Sequence, residues 1–195
     1  MPARKIISVT HVSLDGFVAD LNAPPPGLEW VDYTPELERY AHGFHATADT
    51  AIHGRVTYRL MESYWPTVLD KPSATPSTLK HARWLQKALK VVVSRTMNSV
   101  EWENSLLIKD DLPAAFTKLK QQPGKDMVIF GSPGLVKSLT KLDLIDEYHV
   151  MVNPVILGNG LPLFGELGHR TKLRLMANTT LGDSVAALRY ERVSN

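Results

Sequence analysis

The run Met127-Val128-Ile129-Phe130 is apolar at every position and stops at Gly131-Ser132-Pro133-Gly134, just before the helically spaced LVKSL. A strand without a polar face must be covered on both faces, which puts it inside a parallel sheet with helices on either side. The same grammar recurs along the chain. Ile6 to Val12 alternates and is β-rich, Thr50 to His53 is a short strand candidate ending at Gly54, and Lys90 to Ser94 (KVVVS) is another continuous run. Between these, Pro35 to Thr47, Val56 to Tyr64, Thr78 to Leu89 and Asp111 to Gln121 have helical spacing, the last opening with Asp-Leu-Pro as a cap and first-turn signal. Strand and helix alternate, as an α/β sheet with parallel, helix-covered central strands requires. After Leu144 the rhythm changes. DEYHVMVNPVILG, TKLRLMANTTL and SVAALRYERV are strand-like and parted by Gly158-Asn159-Gly160 and Gly182-Asp183, so antiparallel strands are expected to finish the sheet. The Pro-rich pieces Ala23 to Gly27 and Lys71 to Pro76 read as surface loops.

Composition narrows the chemistry. A chain of 195 residues, 44% hydrophobic and 22% charged, is expected to form one domain, 1–195. No window approaches the roughly 18 apolar residues of a membrane span, and MPARK leads into an alternating segment rather than an apolar leader, so a cytoplasmic protein is expected. Zero cysteines exclude disulfides, thiolate metal sites and a cysteine nucleophile. A net charge of +2, without a run of five like charges, leaves no nucleic-acid footprint, while an anionic small molecule can still bind locally. Ser13, Ser94 and Ser132 all lie outside any G-x-S-x-G elbow. Of seven histidines, His42-x-x-His45 has i,i+3 spacing, but no E-x-x-H or H-E-x-x-H accompanies it. Core-edge histidines and no metal are therefore expected, with His53 oriented by backbone.

Three strand ends have the chemistry of an anion site. A strand that stops at Gly131-Ser132-Pro133-Gly134 and turns into LVKSL leaves free helix N–H groups pointing away from the carboxyl end of the sheet. Pro133 gives up a donor that the first turn could not pair anyway. A tight β-to-α turn with no ligand would look the same. At AIHGRVTYRL a second strand ends at His53, Gly54 makes the turn, and Arg55 and Thr57 fall in the next helix's first turn. An arginine there opposes the helix dipole, so an external anion or a nearby carboxylate must account for it. Ser94-Arg95-Thr96 ends the third strand with two hydroxyls and a guanidinium, a set suited to a phosphate monoester. Together the three suggest a dinucleotide, although neither G-x-G-x-x-G after a strand nor G-K-[ST] is present.

In this order the motifs resemble the dihydrofolate reductase-like family, particularly the C-terminal reductase domain of the riboflavin-biosynthesis deaminase/reductase and its stand-alone bacterial relatives. The carriers are SLDGFVAD after the first strand, GRVTY, VVVSRT, VIFGSPGLVKSL, DEYHVMVNPVILGNGLPLF and the closing strands. The resemblance implies a central, mostly parallel sheet flanked by helices with antiparallel C-terminal strands. It also implies NADPH, with the pyrophosphate at Gly54, Arg55 and Thr57 and at Gly131, Ser132, Pro133, Gly134 and Leu135, and the 2′-phosphate at Ser94, Arg95 and Thr96. The implied activity is hydride transfer to a small heterocyclic, pterin- or pyrimidine-like substrate; the alternative is a non-catalytic NADP(H)-binding or regulatory protein of the same fold.

The resemblance sets SLDGFVAD over the nicotinamide and substrate. Asp15-Gly16 most simply makes a turn. In the family reading Asp15 is the candidate proton donor or polar substrate contact, with its pKa raised in a water-excluding pocket and Ser13 and Gly16 beside it. Trp30, Tyr58, Tyr64 and Trp65 are candidates to stack on a planar substrate, or else ordinary packing residues, and Glu36 and Glu38 are the candidate carboxylates on the first helix. Two departures concern the substrate. Dihydrofolate reductases usually carry Gly-Gly where this chain has Gly131-Ser132. Riboflavin-pathway reductases usually have an acidic residue before the glycine pair, where Ile129-Phe130 stands, and a D-x-P-x-L-x-x-R signature absent between Tyr58 and Lys90. Relatives often dimerise, and EYHVMVNPV with its hairpin is expected to pair across a two-fold as a homodimer.

Overall fold

A computed structural model describes residues 3–24, 26–165 and 167–193. Met1 and Pro2 of the basic lead, and Pro25 of the Ala23 to Gly27 piece, lie outside the described residues. The elements in order are β1 (Ile6–Ser13), β2 (Phe17–Ala19), α1 (Pro35–Thr47), β3 (Ala48–Gly54), α2 (Arg55–Val68), α3 (Pro76–Lys87), β4 (Leu89–Val93) and β5 (Ser105–Ile108). There follow α4 (Leu112–Gln121), β6 (Asp126–Phe130), α5 (Pro133–Lys141), β7 (Glu147–Asn153), β8 (Leu161–Pro162), β9 (Leu173–Leu181) and β10 (Val185–Arg192).

Eight strands form one sheet in the order β5-β4-β3-β6-β1-β7-β10-β9. Its centre is β1, buried along nearly its whole length, which pairs parallel with β6 from Ile6 opposite Met127 and with β7 from Ile7 opposite Glu147. The pairings run parallel from β5 through to β7, and β10 is antiparallel to both β7 and β9. Alternation divides the core. Ile6, Met127 and Ile129 join Phe116, Val136 and Leu139 on the α4 and α5 side, while Ile7, Val9 and Val128 join Leu37 and Phe44 on the α1 side. Each fully buried aliphatic side chain contributes about 1.5–3 kcal/mol.

Four differences from expectation follow. The segment expected as an antiparallel finish, β7, is parallel to β1, because α5 carries the chain back before β7 enters, and the reversal falls on β10. With β1 on one side and β10 on the other, β7 has no free edge for the expected two-fold pairing. The sheet also has an unexpected strand, β5, four residues long, partly exposed and, among the described residues, paired only with β4. Finally, α2 continues beyond Tyr64 through Pro66, whose missing N–H falls in the helix's last turn.

A small antiparallel pair, β2 with β8, folds SLDGFVAD onto GNGLPLF. Gly160 permits it, since a Cβ there would stand 2.5 Å from the Ala19 carbonyl oxygen. Charged side chains are buried in three places: Lys90 donates to the Leu85 carbonyl at 3.0 Å, and the other two are ion pairs. Arg4 bonds Asp49 and the Thr50 hydroxyl, and Glu147, 3% exposed, accepts from Lys5 Nζ at 2.6 Å and Arg189 Nε at 2.9 Å. Hydrogen bonding from His149, Arg189 and Lys5 holds the Glu147 carboxyl well below the usual carboxylate range, against the cost of its desolvation.

His53 is not held by backbone as expected: it is 1% exposed, and both ring nitrogens are buried without a partner among the described residues. Desolvation, with Lys90 adding positive charge nearby, lowers its pKa to about 4. The unfolded chain therefore binds the proton more readily, so the stability this ring contributes is present above the ordinary value near 6.5 and is lost as pH falls toward 4. His53→Leu should flatten the fall in urea-unfolding free energy between those two pH values by up to about 3 kcal/mol. An unchanged slope in a folded variant would show that the ring is already protonated in the native state.

Candidate functional site

Because β3, β4, β5 and β6 run in one sense, their carboxyl ends meet at one edge of the sheet, where they open on a cleft of about 690 Å³. Gly54, Arg55 and Thr57 line it after β3, Ser94 and Arg95 after β4, and Ser132, Pro133, Gly134 and Leu135 after β6. Thr96 and Gly131 do not line it. Thr96 sits in the turn that Ser94 organises by accepting the N–H groups of Thr96 and Met97 at 3.2 and 3.1 Å. Gly131 serves the turn through its φ of +64°, and no protein atom lies within 4 Å of where its Cβ would stand.

Helix capping sets this edge apart. The first turns of α1, α3 and α4 are capped by the side chains of Thr34, Thr75 and Asp111, which accept N–H groups from Leu37, Thr78 and Ala114. Three helices, α2, α4 and α5, begin at the cleft; Asp111 caps α4, whereas among the described residues neither α2 nor α5 has a side-chain cap. Their first-turn N–H groups and dipoles are left for an anion. One hydrogen bond ties them together: the Gly54 N–H donates to Ser132 Oγ at 2.9 Å. Ser132 takes a left-handed φ of +53° at the position where dihydrofolate reductases usually have glycine. Among the described residues neither Arg55 nor Arg95 makes an ion pair, so no carboxylate partner accounts for Arg55.

Lys109, Asp110 and Asp111 also line the cleft, and sequence reading did not assign them to it. The signal was present in SLLIKDDLP, a short run leading into a capped helix, but β5 went unrecognised as a strand. Asp111 is already committed to capping α4.

The residues expected around the substrate are dispersed. Asp15 is exposed and accepts hydrogen bonds from Ser13 Oγ at 2.7 Å, Leu157 N–H at 3.1 Å and Gly158 N–H at 2.7 Å. Those bonds, the Ser13 hydroxyl first, lower its pKa, the reverse of what a proton donor needs. Asp15 is therefore a clamp between two loops. Ser13 is buried and also accepts the Phe17 N–H, while Gly16, at φ +87°, closes the turn by donating to the Ser13 carbonyl. Tyr58 is fully buried with Val92 and Met97, where its hydroxyl bonds Ser105 and accepts the Trp102 N–H; it is a packing residue. Trp30 packs against the α1-side core and donates to the Gly27 carbonyl. Trp65 donates to the Met61 sulfur and lies 4.5 Å from the His81 ring. Glu38 is half-buried on α1, one turn before His42, whose charge it influences.

The Ser132 geometry generates a test. Left-handed φ costs a non-glycine residue about 1–2 kcal/mol, and the bond to Gly54 returns about 0.5–1.5 kcal/mol. Ser132→Ala keeps the strain and loses the bond, while Ser132→Gly loses both. The glycine variant should be the more stable by about 1 kcal/mol in urea unfolding. Equal stability would show that the αL position carries no strain.

The sequence model of the RibD C-terminal domain family matches residues 4–187. YyaP of Bacillus subtilis is 30% identical over 188 residues, covering 96% of this chain and 94% of that protein. The crystal structure of a protein described as a riboflavin biosynthesis protein, from Shewanella sp. PV-4, superposes with a TM-score of 0.74 at 24% identity, covering 97% and 99% of the two chains. Dihydrofolate reductase from Enterococcus faecalis, solved with NADP(H), superposes with a TM-score of 0.61 at 13% identity, covering 97% of each chain. With its parallel sheet, helix layers and closing antiparallel strands, the chain has the dihydrofolate reductase-like fold and belongs to the RibD C-terminal domain family, a family of reductases.

Proposed function

We propose that residues 1–195 work as one cytoplasmic NADPH-dependent reductase domain that passes a hydride to a small heterocyclic, pterin- or pyrimidine-like acceptor. The observation that carries this reading is the pair of uncapped helix N-termini, α2 and α5, tied by the Gly54 to Ser132 bond and facing one cleft. A pyrophosphate fits that pair, because each helix offers N–H donors and a positive dipole end. Arg55, Arg95 and Lys109 supply cations along the same cleft for the remaining phosphate charge. The E. faecalis enzyme of the same fold, solved with NADP(H), supports the choice of cofactor.

In this reading NADPH, when bound, supplies the hydride. The chain's contribution is positional. Gly54 to Thr57 and Ser132 to Leu135 hold the pyrophosphate, Ser94 and Arg95 hold the 2′-phosphate, and Asp15 keeps the first loop closed against Leu157 and Gly158. A homodimer belongs to the same reading, with β9 at the contact: it pairs only with β10 among the described residues, and Leu175 and Met176 on it are exposed.

Arg95→Ala tests the assignment. The guanidinium's partner exists in NADPH and not in NADH, so NADPH affinity should fall about ten- to hundred-fold, from the 1.5–3 kcal/mol of a charge-assisted bond, with NADH little changed. Fluorescence titration of both cofactors at fixed ionic strength reads the difference. Equal weakening would trace the loss to the fold or to the pyrophosphate site, and unchanged binding of both would remove Arg95 from the site. Loss of NADPH absorbance with pterins, pyrimidines, quinones and flavins separates the enzyme from a binding protein, for which tight cofactor binding would accompany no turnover.

A further inference from the structure

The helix pair α1 and α3 carries a second cluster, remote in chemistry from the cleft. His42 and His45 share one face of α1 at i,i+3 spacing, and α3 brings His81 against them. His45 Nε2 stands 2.9 Å from His81 Nδ1, and one ring nitrogen from each of the three histidines lies within 4.8 Å of the others. We propose that His42, His45 and His81 form a binding site for one late first-row divalent cation of the Zn²⁺ class, which clips α3 to α1. This replaces the metal-free expectation drawn from the sequence, and it stands apart from the cofactor reading.

Three observations carry it. Three imidazoles in tilted to stacked contact make a poor hydrogen-bonded set, with His42 Nε2 reaching Ser77 Oγ only at 3.5 Å. One N–H···N contact joins His45 to His81, and His45 Nδ1 remains buried without a partner. The rings are also held from behind: Trp84 stacks on His45 at 4.9 Å, and Trp65 and Phe130 flank His81 at 4.5 and 5.6 Å. All three histidines are half-buried, so an ion can reach them from solvent. A tetrahedral ion with bonds of 2.0–2.1 Å needs its nitrogens about 3.4 Å apart, within the range the cluster already spans.

The ligand set selects the ion. Three nitrogens and no carboxylate suit Zn²⁺, Co²⁺, Ni²⁺ or Cu²⁺ and not Ca²⁺ or Mg²⁺, and they leave one position for water. Phe130 against His81 is the last residue of β6, so an ion here steadies the end of the strand that leads into the Gly131 turn.

Chelator-stripped protein titrated with Zn²⁺ by calorimetry should bind one ion per chain, and Co²⁺ in its place should give the visible d–d absorption of a low-coordinate nitrogen site. Thermal unfolding should shift upward with Zn²⁺. His42→Asn and His81→Asn should each weaken Zn²⁺ at least about ten-fold, whereas His169→Asn, at an exposed histidine outside the cluster, should change nothing. Because His81 is packed among aromatic rings, His42→Asn on the rim keeps the test valid if His81→Asn does not fold. Absence of the Co²⁺ spectrum, or Zn²⁺ affinity unchanged in His42→Asn, would overturn the proposal.

Discussion

Parallel pairing is the constraint from which the rest of this molecule follows. A strand such as β1, covered on both faces and flanked by β6 and β7, can satisfy its backbone only if neighbouring chains return through crossovers on the faces of the sheet. Apart from the loop that joins β4 to β5, the crossovers run through helices, and β3, β5 and β6 end at the same edge, where α2, α4 and α5 begin. Helix N-termini and their free N–H groups are thus gathered at one place by topology rather than by any single residue. Capping decides which of them remain open. Asp111 closes α4 at that edge, whereas Gly54 and Ser132 leave α2 and α5 uncapped.

The Gly54 to Ser132 bond gives this arrangement its rigidity. It spans 78 residues of sequence and fixes the spacing of two strand ends that belong to adjacent strands, β3 and β6. A glycine at position 132 would adopt the left-handed φ at no cost but would leave the two loops independent. Serine accepts the backbone strain in return for the link, a physical reason for departing from Gly-Gly. Asp15 acts in the same way at the neighbouring loop, where a carboxylate gathers two backbone N–H groups from the segment after β7. Both side chains fasten loops, Ser132 from within the cleft lining and Asp15 at the first loop.

Much of the fold was legible locally. Apolar runs such as Met127 to Phe130, and cap signals such as Asp111-Leu112-Pro113, act over a few residues, so strand and helix positions could be read directly. Arg55, Ser94, Arg95 and Gly134 were assigned to the cleft for the same reason: a turn at the end of a parallel strand has a short-range signature. The exceptions were β5, too short and too exposed to carry a pattern, and the direction of β7, which depends on a crossover and not on the strand's own residues.

What the sequence determined by itself was the order of elements, the helix-covered parallel core and the glycine turns, because periodicity and φ preference are properties of neighbouring residues. Only the tertiary structure decided which polar groups meet. Asp15 became a clamp because its partners are 142 and 143 residues away. Tyr58 turned out to be core because α2 lays it over β4 and β5. His81 joined His42 and His45 because α3 packs on α1. Hydrogen bonding, ionisation and metal ligation depend on distances of a few ångströms between side chains remote in sequence, and those distances exist only once the sheet has closed.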